Sequence, residues 1–379
     1  MSIIVDAIFG FLHVMKSVLF ILIALHGLAH LTGLTNAFGM GPVSNGLNVM
    51  LWLAAAILFV ATFFLLFFKK NAWLFFCVLA VVFSQYLIFT NWHYAKFGTI
   101  ANVIILFAVI VGYNTMRFAN KYKSEVKDCL LQTMFVPETL LTEADIQALP
   151  LPVKKYLHYA GVLNKPKVKN FTVDFKGQIR KDAKSAWMPF TSQQYNFIEA
   201  STRLFFLSAT MKHLPVKGFH CFKNGVAFMD IRLLSLFKVQ YQSGKEIGIA
   251  ETVTFFNDMC FMAPATLIDK RICWYGVDNN KVTASFTNNN VTIFATLYFN
   301  HKGQLINFIS DDRYAAGENN AMQKMPWSTP VKYYRKFRGY TLTGYADAIY
   351  SYPAGDLCYG NFKVTNIEYN CKSFSDENK

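Results

Sequence analysis

Leu47 to Phe68 reads LNVMLWLAAAILFVATFFLLFF, with no Asp, Glu, Lys or Arg anywhere in it. A run this long and this apolar matches the roughly 20 residues a helix needs to cross about 30 Å of hydrocarbon. In lipid only a helix of this length satisfies its own backbone N–H and C=O groups. Working outward, three further stretches have the same character. Ser17–Leu34 reads SVLFILIALHGLAHLTGL, Ala72–Tyr94 reads AWLFFCVLAVVFSQYLIFTNWHY, and Phe97–Met116 reads FGTIANVIILFAVIVGYNTM; none contains Asp, Glu, Lys or Arg. The reading is a transmembrane module of about four helices. A signal peptide is not the expected reading of the first stretch, because Asp6 and the apolar Ile3, Ile4, Ile8, Phe9 and Phe11 precede Lys16 where a basic leader would stand. It reads as a retained helix with an apolar, partly amphipathic lead-in.

The connections are short. Gly39, Gly41, Pro42 and Gly46 mark the first, Lys69-Lys70-Asn71 the second, and Lys96 nearly all of the third. With four spans, Lys16, the Lys69–Lys70 pair and the cluster Arg117, Lys121, Lys123 and Lys127 share one side, and only Lys96 lies opposite. The positive-inside rule makes the first side cytoplasmic. The expected location is therefore a cell inner membrane, multi-pass, with the chain beyond residue 117 in the cytoplasm. Over the 379 residues, apolar side chains make up 53% and charged ones 16%, with a net charge of +14. That balance suits an anionic membrane surface, and no basic run or nucleic-acid motif supports a nucleic-acid partner. The seven cysteines form no CxxC pair, which leaves free thiols as the expectation.

After the fourth stretch, residues 118–141 are charged and mixed and read as a helical continuation and linker. Thr142-Glu143-Ala144-Asp145 looks like a helix start with Thr142 as N-cap. Pro152 to Ala160, followed by Gly161, fits a short helix with proline in its first turn and glycine just past its end. From Lys167 the period becomes two. Phe171, Val173 and Phe175 alternate with polar residues, as do Val282, Ala284 and Phe286, and Val291, Ile293, Ala295, Leu297 and Phe299. Asn288-Asn289-Asn290 and Asn300-His301-Lys302-Gly303 are hairpin turns between strands. Further strands are expected near 193–199, 204–211, 225–230 and 362–369. Glu251 to Ile268 breaks this pattern and predicts a helix packed on one face of a curved sheet, interrupted or restarted at Pro264. The expected fold is a membrane α-helical module (1–117), the linker (118–141) and an α+β soluble domain with a curved, mostly antiparallel sheet (142–372). A disordered tail ends the chain (373–379).

Four segments carry a resemblance. They are Trp187-Met-Pro-Phe-Thr-Ser-Gln193; Asn257-Asp258-Met-Cys with Ala263-Pro-Ala-Thr-Leu-Ile-Asp269; Asp311-Asp312-Arg313-Tyr314; and Trp327-Ser-Thr-Pro330. Together they resemble a bacterial family of membrane-anchored proteins catalogued only as a domain of unknown function. The Asn-Asp-Met-Cys form is similar to members from Bacteroidetes-type bacteria. The resemblance spans roughly residues 140 to 370 and implies hydrophobic helices ahead of the domain, but no activity, substrate or catalytic residue. The expected sheet over a helix is similar in outline to lipoprotein-carrier folds, an analogy of fold alone.

Candidate chemistry is sparse. His26 and His30, four apart, share a helix face and are weak metal candidates, with bonding across packed helices as the structural alternative; His13 and His93 are not placed. Glu251 and Asp258 lie two helical turns apart, and with Asp312 and Arg313 they are the candidate catalytic groups. The alternative is an ion pair in which Arg313 satisfies a carboxylate. Trp187, Trp274 and Trp327 either line an apolar ligand cavity or fill the core. No GxSxG, HExxH, P-loop or dinucleotide glycine pattern occurs, and no cofactor is expected. The leading functional expectation is a membrane-tethered module binding a lipid or other apolar ligand at the cytoplasmic surface. The alternatives are a carboxylate-based enzyme acting on a membrane-derived substrate, and a structural or regulatory subunit with a membrane-protein partner.

Overall fold

The computed structural model describes residues 17–32, 46–316 and 321–375. His13, Lys16 with the lead-in before it, the first connection and the last residues of the tail lie outside these. The chain divides into two compact units: Met1–Phe118 with Leu234–Leu236, and Ala119–Leu233 with Phe237–Lys379.

The first unit is helical: α1 (Ser17–Thr32), α2 (Gly46–Phe67), α3 (Trp73–Thr90), the single turn α4 (Trp92–Ala95) and the start of α5 (Gly98–Thr133). Among the described residues three helices, α2, α3 and α5, are long and apolar enough to cross a membrane, and α1 is shorter. Ile23, Phe59, Cys77, Ala80, Val81, Ile105 and Val109 pack into one core. The outward residues Ile57, Val60, Phe64, Phe75, Val82, Phe89 and Ile104 are equally apolar and exposed, a surface that has no stable place in water. Gly27 lets α1 approach α2 closely, since a Cβ there would sit 2.9 Å from the Cβ of Phe59.

The second unit takes in α5 from Ala119 to its end at Thr133. A 3-10 turn stands at Ala144–Ile146 where an α-helix start was expected. Its cause is local: the Asp145 carboxylate accepts from both the N–H and the hydroxyl of Thr142, each at 2.8 Å, which closes a tight ring. Then come α6 (Leu151–Ala160), ended by Gly161 in the left-handed region, and the first strands. These are β1 (Asn170–Ile179), β2 (Met188–Phe197), β3 (Thr202–Met211), β4 (Leu214–Lys223), β5 (Val226–Leu233) and β6 (Phe237–Ser243). Next are α7 (Lys245–Met262) and a 3-10 turn, Pro264–Ile268, so Pro264 separates two helical pieces as the sequence predicts. The remaining strands are β7 (Ile272–Asp278), β8 (Lys281–Asn288), β9 (Val291–Phe299), β10 (Leu305–Ser310), β11 (Tyr314–Ala316), β12 (Met322–Lys324), β13 (Trp327–Ser328), β14 (Val331–Phe337), β15 (Tyr340–Tyr352) and β16 (Gly355–Tyr369).

One 14-stranded antiparallel sheet has the order β6-β5-β4-β3-β2-β1-β16-β15-β13-β10-β9-β8-β7, with β14 on β15. Flat, β4 and β9 would stand about 38 Å apart at ~4.8 Å per strand. Yet Asn289, in the β8–β9 turn, donates to the carbonyl of Asn224 in the β4–β5 turn at 2.7 Å. The sheet is therefore curled into a half-barrel. Its filling is α7, nearly all of whose side chains are buried. Phe255 meets Phe222 of β4 on one side and Phe286 of β8 on the other, both at 6.0 Å between ring centres. Phe256 stacks on Phe286 at 5.4 Å and meets Phe308 of β10 edge-on at 5.6 Å.

The convex face is covered too. Tyr122 of α5 stacks on Phe206 at 5.1 Å and meets Phe219 at 5.6 Å. The start of the tail differs from expectation. Phe374 stacks on Tyr195 at 5.7 Å and Ser375 N–H donates to the Tyr195 hydroxyl at 2.9 Å, because an aromatic ring and a backbone donor find matching partners on β2.

Candidate functional site

The register of β1 to β5 sets the inner face in rows. The first is Phe171–Asn196–Arg203–Phe222–Ala227 and the second Val173–Gln194–Phe205–His220–Met229. The third is Phe175–Ser192–Leu207–Gly218–Ile231 and the fourth Gly177–Phe190–Ala209–Val216–Leu233. Successive rows are about 6.6 Å apart along the strands. Helix α7 crosses at the first-row end, where Gly248 approaches Gly225 so closely that a Cβ would meet the Gly225 carbonyl oxygen at 2.3 Å.

There the polar residues gather. Arg203 donates from Nε to Asp258 Oδ2 at 2.8 Å, from Nη1 to Glu251 Oε2 at 3.0 Å and from Nη2 to Gln194 Oε1 at 2.8 Å. Asp258 Oδ2 also accepts from Gln194 at 2.8 Å and from Asn196 at 3.2 Å. One guanidinium thus joins two carboxylates seven residues apart on α7, which is how the predicted shared face is used. Burial pushes Glu251 up, but Arg203, His220 and Arg313 outweigh it and hold it below the ordinary glutamate range. For Asp258 burial prevails over Arg203 and the amides, and its carboxyl is raised. His220 is driven down to about 4, chiefly by burial; Glu251 opposes this, and Arg203 and Arg313 add to it. Its Nε2 is buried without a hydrogen-bond partner.

Of the expected catalytic groups, Glu251 and Asp258 converge, and Arg313 lies within electrostatic reach of Glu251. Asp312 does not join them. Its carboxylate accepts from the Phe294 N–H at 2.7 Å and pairs with Lys324 at 2.7 Å on the rim. The expected ion pair on Arg313 is instead made by Arg203. Arg313 donates from Nε to Thr254 Oγ1 at 3.3 Å and from Nη1 to the Tyr350 hydroxyl, and its guanidinium lies 4.5 Å from the Trp327 ring centre. Arg203, Gln194, Asn196 and His220 were not expected from the sequence, because only the strand register sets which polar residues of β2 to β4 face inward.

The three tryptophans are not neighbours in strand order. Trp327 is core, 4% exposed, donating to the Tyr359 hydroxyl at 3.1 Å. Trp187, before β2, is half-buried under Arg180, and Trp274 sits on the edge strand β7. In the first unit, His26 Nε2 donates to Asn102 Oδ1 at 2.9 Å and lies 3.0 Å from Ser84 Oγ, which His30 Nε2 also meets at 2.9 Å. Both histidines are therefore engaged across helices. Among the described residues no three His, Cys, Asp or Glu side chains cluster as a metal site. An open surface cleft of about 450 Å³ lies between α6 and the β9–β10 turn, lined by Lys155, His158, Tyr159, His301, Lys302 and Gly303.

Fold and site together define a class: a chain of apolar helices followed by a curled antiparallel half-barrel closed at one end by a buried, charge-bearing helix. The chain belongs to a family of unknown function, DUF6544, which it matches over residues 139–362. No curated protein matches it. Among solved structures it is similar to a domain named for outer membrane lipoprotein sorting from Vibrio parahaemolyticus, at 8% identity and TM-score 0.33, covering 55% of this chain and 88% of that one. It is also similar to a DUF1329 family protein from Desulfovibrio piger, at 9% identity and TM-score 0.33, covering 61% and 94%.

Proposed function

We propose that this protein is a membrane-tethered module that holds a lipid or other apolar molecule on the concave face of its sheet, at the cytoplasmic surface of a cell inner membrane. The observation that carries the reading is an apolar rim beyond the charge cluster. Ile179, Met188, Ile231, Leu233, Tyr352 and Phe362 pack against the core yet stay only partly buried. Apolar side chains left half-covered beside a few fixed polar groups are the usual make-up of a small-molecule site. Because α7 fills the first-row end and Phe175, Leu207, Phe190 and Val216 are themselves buried, the ligand lies along the partly exposed rim of rows three and four, at Ile231 and Leu233. The carboxylate-enzyme reading is weaker, since Arg203 holds both Glu251 and Asp258 and leaves neither free as a base.

The tether consists of α2, α3 and α5, with α1 as the fourth crossing. Four crossings place Lys69, Lys70 and the Arg117–Lys127 cluster on one side against Lys96 on the other, which orients the sheet domain to the cytoplasm. Cys273 is exposed and reports this. With Cys358 and Cys371 replaced by serine, an impermeant maleimide labels Cys273 only after the inner membrane is breached; labelling in intact spheroplasts refutes the orientation. For the ligand, the full chain purified in detergent is extracted with organic solvent and analysed by mass spectrometry. A lipid carried at close to one per chain, and lost in Ile231→Asp, is expected. Equal lipid in both proteins refutes the reading.

A further inference from the structure

We infer that the ligand of the concave face carries an anionic head group, a phosphate or a carboxylate, and that Arg313 receives it. This rests on the proposed apolar-ligand function and names the chemistry of the same site. Arg203, Arg232, Arg271 and Arg338 each meet a carboxylate. Arg313 is half-buried, and among the described residues no carboxylate lies within ion-pair distance of it. It is held by neutral groups alone, the hydroxyls of Thr254 and Tyr350, and by the ring faces of Trp327 at 4.5 Å and Tyr350 at 5.2 Å.

A guanidinium drawn out of water needs a counter-charge, and stacking on aromatic rings compensates only in part. Two acids near it, among the described residues, are engaged elsewhere. Glu251 is bound by Arg203 at 3.0 Å, and Asp312, next in the chain, turns outward to Lys324. The remaining guanidinium N–H groups match an oxyanion in geometry, in the forked manner that favours arginine over lysine for phosphate and carboxylate. Position agrees with this. Arg313 bonds Thr254, three residues after Glu251 on α7, and His220 stands opposite Phe205 in the second row, next to the row that holds Arg203. His220 Nε2 is a buried polar atom without a hydrogen-bond partner. A head group at Arg313 leaves its chain to run along the partly exposed rim, over Ile231, Leu233, Met188 and Ile179.

The test uses the delipidated full chain in detergent, with quenching of tryptophan fluorescence as readout. Oleic acid, lysophosphatidic acid and neutral monoolein are titrated in parallel. The two anionic amphiphiles are expected to bind about tenfold tighter than monoolein, the scale of one charge-assisted contact. Arg313→Gln should abolish that preference while leaving monoolein affinity within about twofold, and Arg313→Lys should keep part of it. The stronger of the two acids tells carboxylate from phosphate. Equal affinity for all three, or a preference that survives Arg313→Gln, overturns the inference and leaves the apolar-ligand reading standing. Failure of every amphiphile to bind the unmodified chain overturns that reading and the inference with it.

Discussion

Arg203 Nε lies 2.8 Å from Asp258 Oδ2, and this contact ties β3 to the helix that fills the half-barrel. The pair is almost wholly buried, with side chains 9% and 10% exposed. Removing one partner of such a pair strands the other charge in a poorly solvated site, at a cost of about 3–5 kcal/mol. Arg203→Met should therefore lower stability by that much in denaturant unfolding of the detergent-solubilised chain. Replacing Arg203, Glu251 and Asp258 together with apolar residues of similar volume should cost less than the single change, because no uncompensated charge remains. A triple variant worse than Arg203→Met would contradict that expectation.

His220 makes stability fall with acid. Free in an unfolded chain the imidazole titrates near about 6.5, whereas in the fold burial lowers it to about 4. Between those values the unfolded chain takes up a proton that the native state refuses. The contribution is complete above about pH 6.5, shrinks as pH drops to about 4, and changes no further below that. Its size is at most about 3 kcal/mol. The pH profile of His220→Phe should lack this slope; an unchanged slope would show that other groups produce it.

Gly177 tests the curl. A Cβ there would sit 1.9 Å from the Asn361 carbonyl oxygen on β16, and backbone in a paired strand cannot move aside as a side-chain tip can. Gly177→Ala is expected to destabilise the sheet by about 1–3 kcal/mol, read as a lowered unfolding midpoint. Gly276, whose added Cβ meets nothing within 4 Å, is the matched control.

The strands, the filling helix and the break at Pro264 are legible in the sequence because each is a local period or a local breaker. The curl is not, since it depends on turns as distant as Asn224 and Asn289 meeting. The same limit governs the site. Glu251 and Asp258 stand out by their spacing on one helix, but Arg203 is 48 and 55 residues away from them in the chain. In Gln193–Phe197 polar residues occupy both parities, so only the register decides that Gln194 and Asn196 face α7. Arg313 follows two aspartates in sequence, which suggests a carboxylate partner. In the fold Asp312 turns to the opposite side, toward Lys324.

Ser84 is the hub of the helical unit. Its hydroxyl meets His26 Nε2 at 3.0 Å and His30 Nε2 at 2.9 Å, and accepts from Asn102 Nδ2 at 3.0 Å. It thereby joins α1, α3 and α5 through one oxygen. Ser84→Ala leaves three buried polar groups short of a partner at once. Bonds between helices in an apolar surround are individually worth only about 0.6–2 kcal/mol, because the separated helices also find partners. The loss should nonetheless exceed that of Thr62→Val, whose hydroxyl donates at 2.8 Å to the Leu58 carbonyl of its own helix and, among the described residues, bonds no other helix. Unfolding by titration of SDS into mild-detergent micelles compares the two. Equal midpoints would mean that the histidines do not hold the helices together, and would reopen the metal-binding reading of His26 and His30.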